Sequence, residues 1–208
     1  MHGSQIRNNI SGVAEGDWRA AEKTVGTISD PWFMCQSFTK VSLYAPDPSD
    51  QKRLLDAAFA AAKRCPNPNR IITVGAWPVK AAIRLGHIEL AKQEVQALSS
   101  VISSEPSPVR RANALNELLG ACSALPTEQA ETFWRVYGLF VSSCVEPLLS
   151  GKRNVRGHAC LSWWAGHIHS RDPEKAEELV KVLVGPQHHA RAQKLIRERL
   201  YAISWPNV

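Results

Sequence analysis

Hydrophobic residues recur three and four positions apart along most of this chain, which is the period of an amphipathic α-helix. The pattern is clearest over residues 54–62, 90–101, 115–122 and 176–183. No stretch of six positions alternates apolar and polar residues in the way that a half-buried strand requires. The pattern therefore predicts an all-α protein.

Helix starts are marked by a polar side chain followed by proline. The signal occurs at Asp30-Pro31, Asn67-Pro68 and Ser107-Pro108. The polar side chain accepts a hydrogen bond from an otherwise unpaired backbone N–H, and proline at the first helical position loses no bond. A fourth start is expected at Asn154 and a fifth near His188. We expect a first helix of a repeating unit to begin at each of these points.

A second helix follows each of the first four starts at a nearly constant distance. Between the opening residue and a small or apolar residue one turn into the second helix there are 22 or 23 positions, from Pro31 to Leu54, Pro68 to Ala91, Pro108 to Ala130 and Asn154 to Ala176. Close packing of the second helix on the first requires a residue of this kind. The spacing predicts a right-handed α-α superhelix, a solenoid of about five antiparallel helix pairs.

The expected boundaries are a mobile N-terminal tail and one helical-repeat domain. Residues 1–16 are polar and contain glycine, asparagine and serine, so we expect them to be the tail. Residues 17–208 form the predicted domain, in which residues 17–28 are a half-unit that covers the N-terminal end of the stack.

The turns between paired helices resemble those of the tetratricopeptide-like and HEAT-like α-solenoids. The resemblance is carried by residues 85–91, where a glycine precedes an alanine of the second helix, and by residues 172–176, where an Asp-Pro pair does so. It extends over roughly residues 30–203. It implies a fold superfamily whose members mostly bind proteins or peptides, and it indicates no particular family within that group.

Composition adds little evidence for chemistry. The five cysteines are widely spaced and form no C-x-x-C pair, which favours reduced thiols in a cytoplasmic protein. No apolar run is long enough for a membrane span, so no membrane partner is expected. The chain has no Gly-x-Ser-x-Gly elbow and no glycine-rich phosphate loop. We therefore predict no catalytic residues, no cofactor and no enzyme activity.

The histidines cluster late in the chain and leave one enzymatic alternative open. Five of the seven are His158, His167, His169, His188 and His189. No His-Glu-x-x-His signature accompanies them, and we predict no metal ligand. A metal-dependent enzyme built around these histidines remains an alternative.

Charge is distributed unequally between the two sets of predicted helices. The net charge is +6, and bases outnumber acids in the first helices while acids outnumber bases in most of the second helices. In a solenoid the first helices line one surface and the second helices line the other. The sequence thus predicts one basic surface, with Arg70, Arg110, Arg111 and Arg156 in first turns.

The leading hypothesis is a non-catalytic interaction module, a scaffold or adaptor, that binds an acidic protein or peptide segment. The four arginines would supply charge, and Trp77 or Trp163 would supply an apolar anchor. Trp163 and Trp164 lie about 100° apart on a helix, so we expect one of them to be exposed. The alternative partner is nucleic acid, which a basic HEAT-like surface can hold by its backbone phosphates.

Overall fold

The structure is a computed structural model that describes residues 2–149, 151–152 and 154–200. These residues form α-helices and two short 3-10 helices, with no strand among them, which confirms the all-α prediction. The helices are α1 (Gly3–Val25), α2 (Pro31–Ser42), α3 (Pro48–Lys63), α4 (Pro68–Arg84), α5 (Ile88–Val101), α6 (Pro108–Cys122), α7 (Ala130–Leu149), α8 (Val155–Arg171), α9 (Pro173–Val182) and α10 (Pro186–Arg197). We call α2, α4, α6, α8 and α10 the first helices, and α3, α5, α7 and α9 the second helices.

The predicted start signals are largely confirmed. Asp30, Ser107 and Asn154 each accept a hydrogen bond from a backbone N–H in the first turn of their helix. Asn67 precedes α4 as expected, but its side chain makes no capping bond. The fifth start lies at Pro186, two residues before His188, because proline again occupies the first helical turn.

The N-terminal segment differs from the expected mobile tail. Residues 3–16 form the first part of α1, in which Ile6, Ile10 and Ala14 are buried. These residues recur every four positions and therefore form one apolar stripe, which packs in a cluster with α2 and α3. Asp17 has non-helical φ and ψ of −151° and 96°, and its carboxylate accepts bonds from the N–H groups of Arg19 and Ala20. The second part of α1 thus starts at Asp17, the first residue of the expected half-unit.

Consecutive first helices contact one another along the chain. α2 packs against α4, α4 against α6, α6 against α8 and α8 against α10, while each second helix contacts the first helix that precedes it. The largest apolar cluster extends from Leu55 on α3 to Ala192 on α10. The core therefore runs between neighbouring helices through most of the described chain.

The residues predicted to mediate close pairing are mostly buried. Leu54, Ala91 and Ala176 are fully buried, whereas Ala130 is the first residue of α7 and is partly exposed. At Gly75 on α4, an added Cβ would lie 2.9 Å from Leu98 Cδ2 of α5, so this pair of helices approaches closely.

Parts of the prediction lie outside the described residues. They are Met1 of the expected tail, and Ser150, Arg153 and residues 201–208 of the predicted domain. Within the described residues, no helix is both long and apolar enough to cross a membrane.

Candidate functional site

One face of α4 carries a polar and aromatic stripe. Arg70, Thr73, Trp77, Lys80 and Arg84 follow one another at intervals of three and four residues, and each is at least partly exposed. This spacing places them on one side of the helix. The predicted site residues Arg70 and Trp77 therefore share a face with two further bases.

A groove of about 330 Å³ lies across the C-terminal ends of α2, α4 and α6 at the end of this stripe. Its lining residues are Leu43, Lys80, Ala81, Ile83, Arg84 and Ala124. Helix C-termini carry partial negative charge, which the ammonium of Lys80 and the guanidinium of Arg84 offset. The groove thus combines an apolar surface with two cationic side chains.

Two tryptophans of the first helices each lie against an arginine of the next first helix. The Arg70 guanidinium on α4 lies 5.1 Å from the centre of the Trp32 ring on α2. The Arg191 guanidinium on α10 lies 4.5 Å from the Trp163 ring on α8. Cation–π contacts of this kind are worth about 0.5–1 kcal/mol at exposed sites, so they help to hold each first helix against the next.

The adjacent tryptophans of α8 divide as expected. Trp163 is 45% exposed and Trp164 is 1% exposed. Arg156 lies seven residues before Trp163 on the same helix and is also exposed, so the two predicted site residues share one face. Burial raises the pKa of nearby Glu117 on α6, and the charge of Arg156 opposes that rise.

Arg110 and Arg111 are held by acidic partners. Arg110 Nε donates to a carboxylate oxygen of Glu105 at 2.9 Å, and Glu105 is almost fully buried. Arg111 forms an ion pair with Glu146 on α7 and donates to the Glu105 carbonyl oxygen at 2.8 Å. These contacts fasten the α5–α6 loop to α6 and α7. The two arginines therefore contribute less available charge than their sequence positions suggested.

Sequence reasoning did not single out Leu43, Lys80 and Arg84 as site residues. The interval of three and four residues from Trp77 to Lys80 and Arg84 was a usable signal. Leu43 gave none, because its place in the groove depends on how α2 packs against α4.

Among the late histidines, His167 lies beside two aromatic rings. The His167 ring lies 5.6 Å from Phe133 and 5.4 Å from Trp164, and its Nε2 accepts a bond from Arg171 Nε at 3.0 Å. Burial, with a smaller contribution from Arg171, lowers the pKa of His167 to about 4. Among the residues that the structure describes, no three His, Cys, Asp or Glu side chains are placed to hold a metal ion.

The chain was also compared with known proteins. No protein-family model matches it, and neither curated proteins nor solved structures gave a match.

Proposed function

We propose that this chain is a non-catalytic interaction module that binds an acidic protein or peptide segment along its first helices. The observation that carries the proposal is the groove across α2, α4 and α6, in which Lys80 and Arg84 flank the apolar side chains of Leu43 and Ile83. A segment with carboxylates beside an apolar side chain complements this lining in both charge and polarity.

The proposed architecture is a right-handed α-α superhelix, an α-solenoid of about five helix pairs. The contacts between consecutive first helices support it, as does the pairing of each second helix with its predecessor. In such a stack the first helices line one continuous surface. The groove, the α4 stripe and the Arg156–Trp163 face of α8 would then belong to one binding surface.

The predicted residues take different roles on this surface. Arg70 and Arg156 supply positive charge, and Trp77 and Trp163 supply partly exposed aromatic area for an apolar anchor. Arg110 and Arg111 hold the α5–α6 loop at its edge. Reversing their charge would also disturb Glu105. Lys80 and Arg84 line the groove itself and are therefore the positions used to test binding.

The experiment selects random peptides displayed on phage against the immobilised full chain, followed by fluorescence polarisation of the enriched peptides. We expect enriched sequences to combine Asp or Glu with an apolar residue. The double variant Lys80→Glu/Arg84→Glu should weaken their binding at least tenfold, about 1.4 kcal/mol. The double variant Lys23→Glu/Arg135→Glu makes the same charge change at exposed positions on α1 and α7 and should change affinity less than about twofold.

Two results would contradict the proposal. One is enrichment of peptides that lack acidic residues. The other is an equal loss of affinity in both double variants, each checked for wild-type helicity by circular dichroism.

A gel shift with duplex DNA and RNA at low and moderate salt tests the nucleic-acid alternative. Salt-sensitive binding that only the Lys80→Glu/Arg84→Glu variant loses would favour that alternative.

A further inference from the structure

A second pocket, of about 170 Å³, lies between the first turn of α8 and the loop that enters α10. Its lining residues are Val155, His158, Val184, Gly185, Pro186, Gln187 and His188. It shares no lining residue with the groove across α2, α4 and α6. Its volume exceeds the roughly 10–15 Å³ that one water molecule needs, so it can admit a larger polar ligand.

Buried nitrogen atoms without partners are concentrated at this pocket. His158 is 1% exposed, and neither of its ring nitrogens has a hydrogen-bond partner in the described part of the chain. The same holds for Nδ1 of His188, which is 5% exposed. By contrast, Nδ1 of the neighbouring His189 lies 3.1 Å from the Gly185 carbonyl oxygen.

Unpaired buried polar atoms are uncommon, because each costs about 1–3 kcal/mol. A neutral imidazole donates from one ring nitrogen, and a protonated imidazole donates from both. Burial lowers the pKa of His158 and of His188 and so favours the neutral form, whereas a nearby anion favours the protonated form. A partner with acceptor oxygens would therefore satisfy the ring N–H groups of both histidines.

The surrounding charge favours an anion. None of the described residues that line the pocket is acidic. The pocket lies at the N-terminal turns of α8 and α10, where helix dipoles place partial positive charge. His188 is the electrostatic neighbour of His158, and Arg191 and His189 in turn lie near His188.

We propose that this pocket binds a small oxyanion with the chemistry of inorganic phosphate, with His158 and His188 as hydrogen-bond donors. The dipoles of α8 and α10 contribute to the attraction, and Arg191 stabilises the bound charge. The ligand is either free phosphate or the phosphoryl group of a larger molecule.

The test observes the imidazole ¹H–¹⁵N signals of the full wild-type chain at a pH of about 6.5, the ordinary pKa of histidine. Sodium phosphate, methyl phosphate and sodium chloride are added in separate titrations at constant ionic strength. We expect phosphate to shift the signals of His158 and His188 saturably, while chloride leaves them unchanged. His158→Gln should weaken phosphate binding at least tenfold, and the control His169→Gln, on the same helix, should leave it within about twofold.

The wild-type titration keeps the test decisive even if His158→Gln fails to fold. No saturable shift at His158, or an equal shift with chloride, would overturn the proposal and leave a pocket that holds water alone. Methyl phosphate binding as tightly as phosphate would support a phosphoryl group on a larger molecule. Binding of phosphate alone would support the free anion.

Discussion

The indole Nε1–H of Trp164 donates to Oδ1 of Asn116 at 3.0 Å and so joins α8 to α6. Trp164 is almost fully buried, and its ring lies 6.1 Å from that of Phe133 on α7. A buried tryptophan needs an acceptor for its N–H, and the amide on α6 provides one. This bond links two successive first helices at the centre of the chain.

Replacing Asn116 with alanine should destabilise the protein by about 1–3 kcal/mol, because the buried indole N–H loses this acceptor. The measurement is urea unfolding followed by circular dichroism. Asn113→Ala, at a partly exposed position on the same helix, is the control and should cost less than about 1 kcal/mol. Equal losses in the two variants would show that the bond contributes nothing specific.

Gly86 ends α4 with a φ of 81°. The N–H of Gly86 donates to the Ile83 carbonyl oxygen, and the N–H of His87 donates to the Ala82 carbonyl oxygen. Together these two hydrogen bonds form a Schellman motif. Gly86→Ala should cost about 1–2 kcal/mol, since a side chain disfavours the left-handed region. Gly138→Ala lies within helix α7 with nothing near the added Cβ and should stabilise by about 0.5–1 kcal/mol. Thermal unfolding of both variants tests the opposite signs.

His167 should make the folded state sensitive to acid. Its pKa is lowered to about 4, below the value of about 6.5 expected in the unfolded chain. The unfolded state therefore binds more protons between these values, and stability falls as the pH drops from about 6.5 to about 4. We expect a contribution of roughly 1–2 kcal/mol once partial solvent exposure is allowed for.

The measurement is urea unfolding at several pH values for the wild type and for His167→Gln, whose amide oxygen can still accept from Arg171. The difference in stability between the two proteins should shift in favour of the variant as the pH falls. A difference that stays constant between pH values of about 7 and 4 would contradict the assignment to His167.

The candidate surface was only partly predictable from the sequence. Helical spacing is enough to place Arg70 with Trp77 and Arg156 with Trp163, because residues seven apart share a face whatever the helix packs against. The ion pair of Arg111 was not predictable from the sequence, since its partner Glu146 is 35 residues away on α7. Which of Trp163 and Trp164 is exposed likewise depended on where α6 and α7 lie.

The sequence by itself determined where most helices begin and which side of each is apolar. Those properties follow from short-range effects: the capping side chains at Asp30 and Ser107, proline in the first turn, and apolar residues repeating every three or four positions. Only the tertiary structure decided which charges are compensated, that Leu43 and Ala124 line one groove with the end of α4, and that His158 and His188 adjoin one pocket. These relationships join side chains from separate helices, and the packing of those helices depends on the whole core.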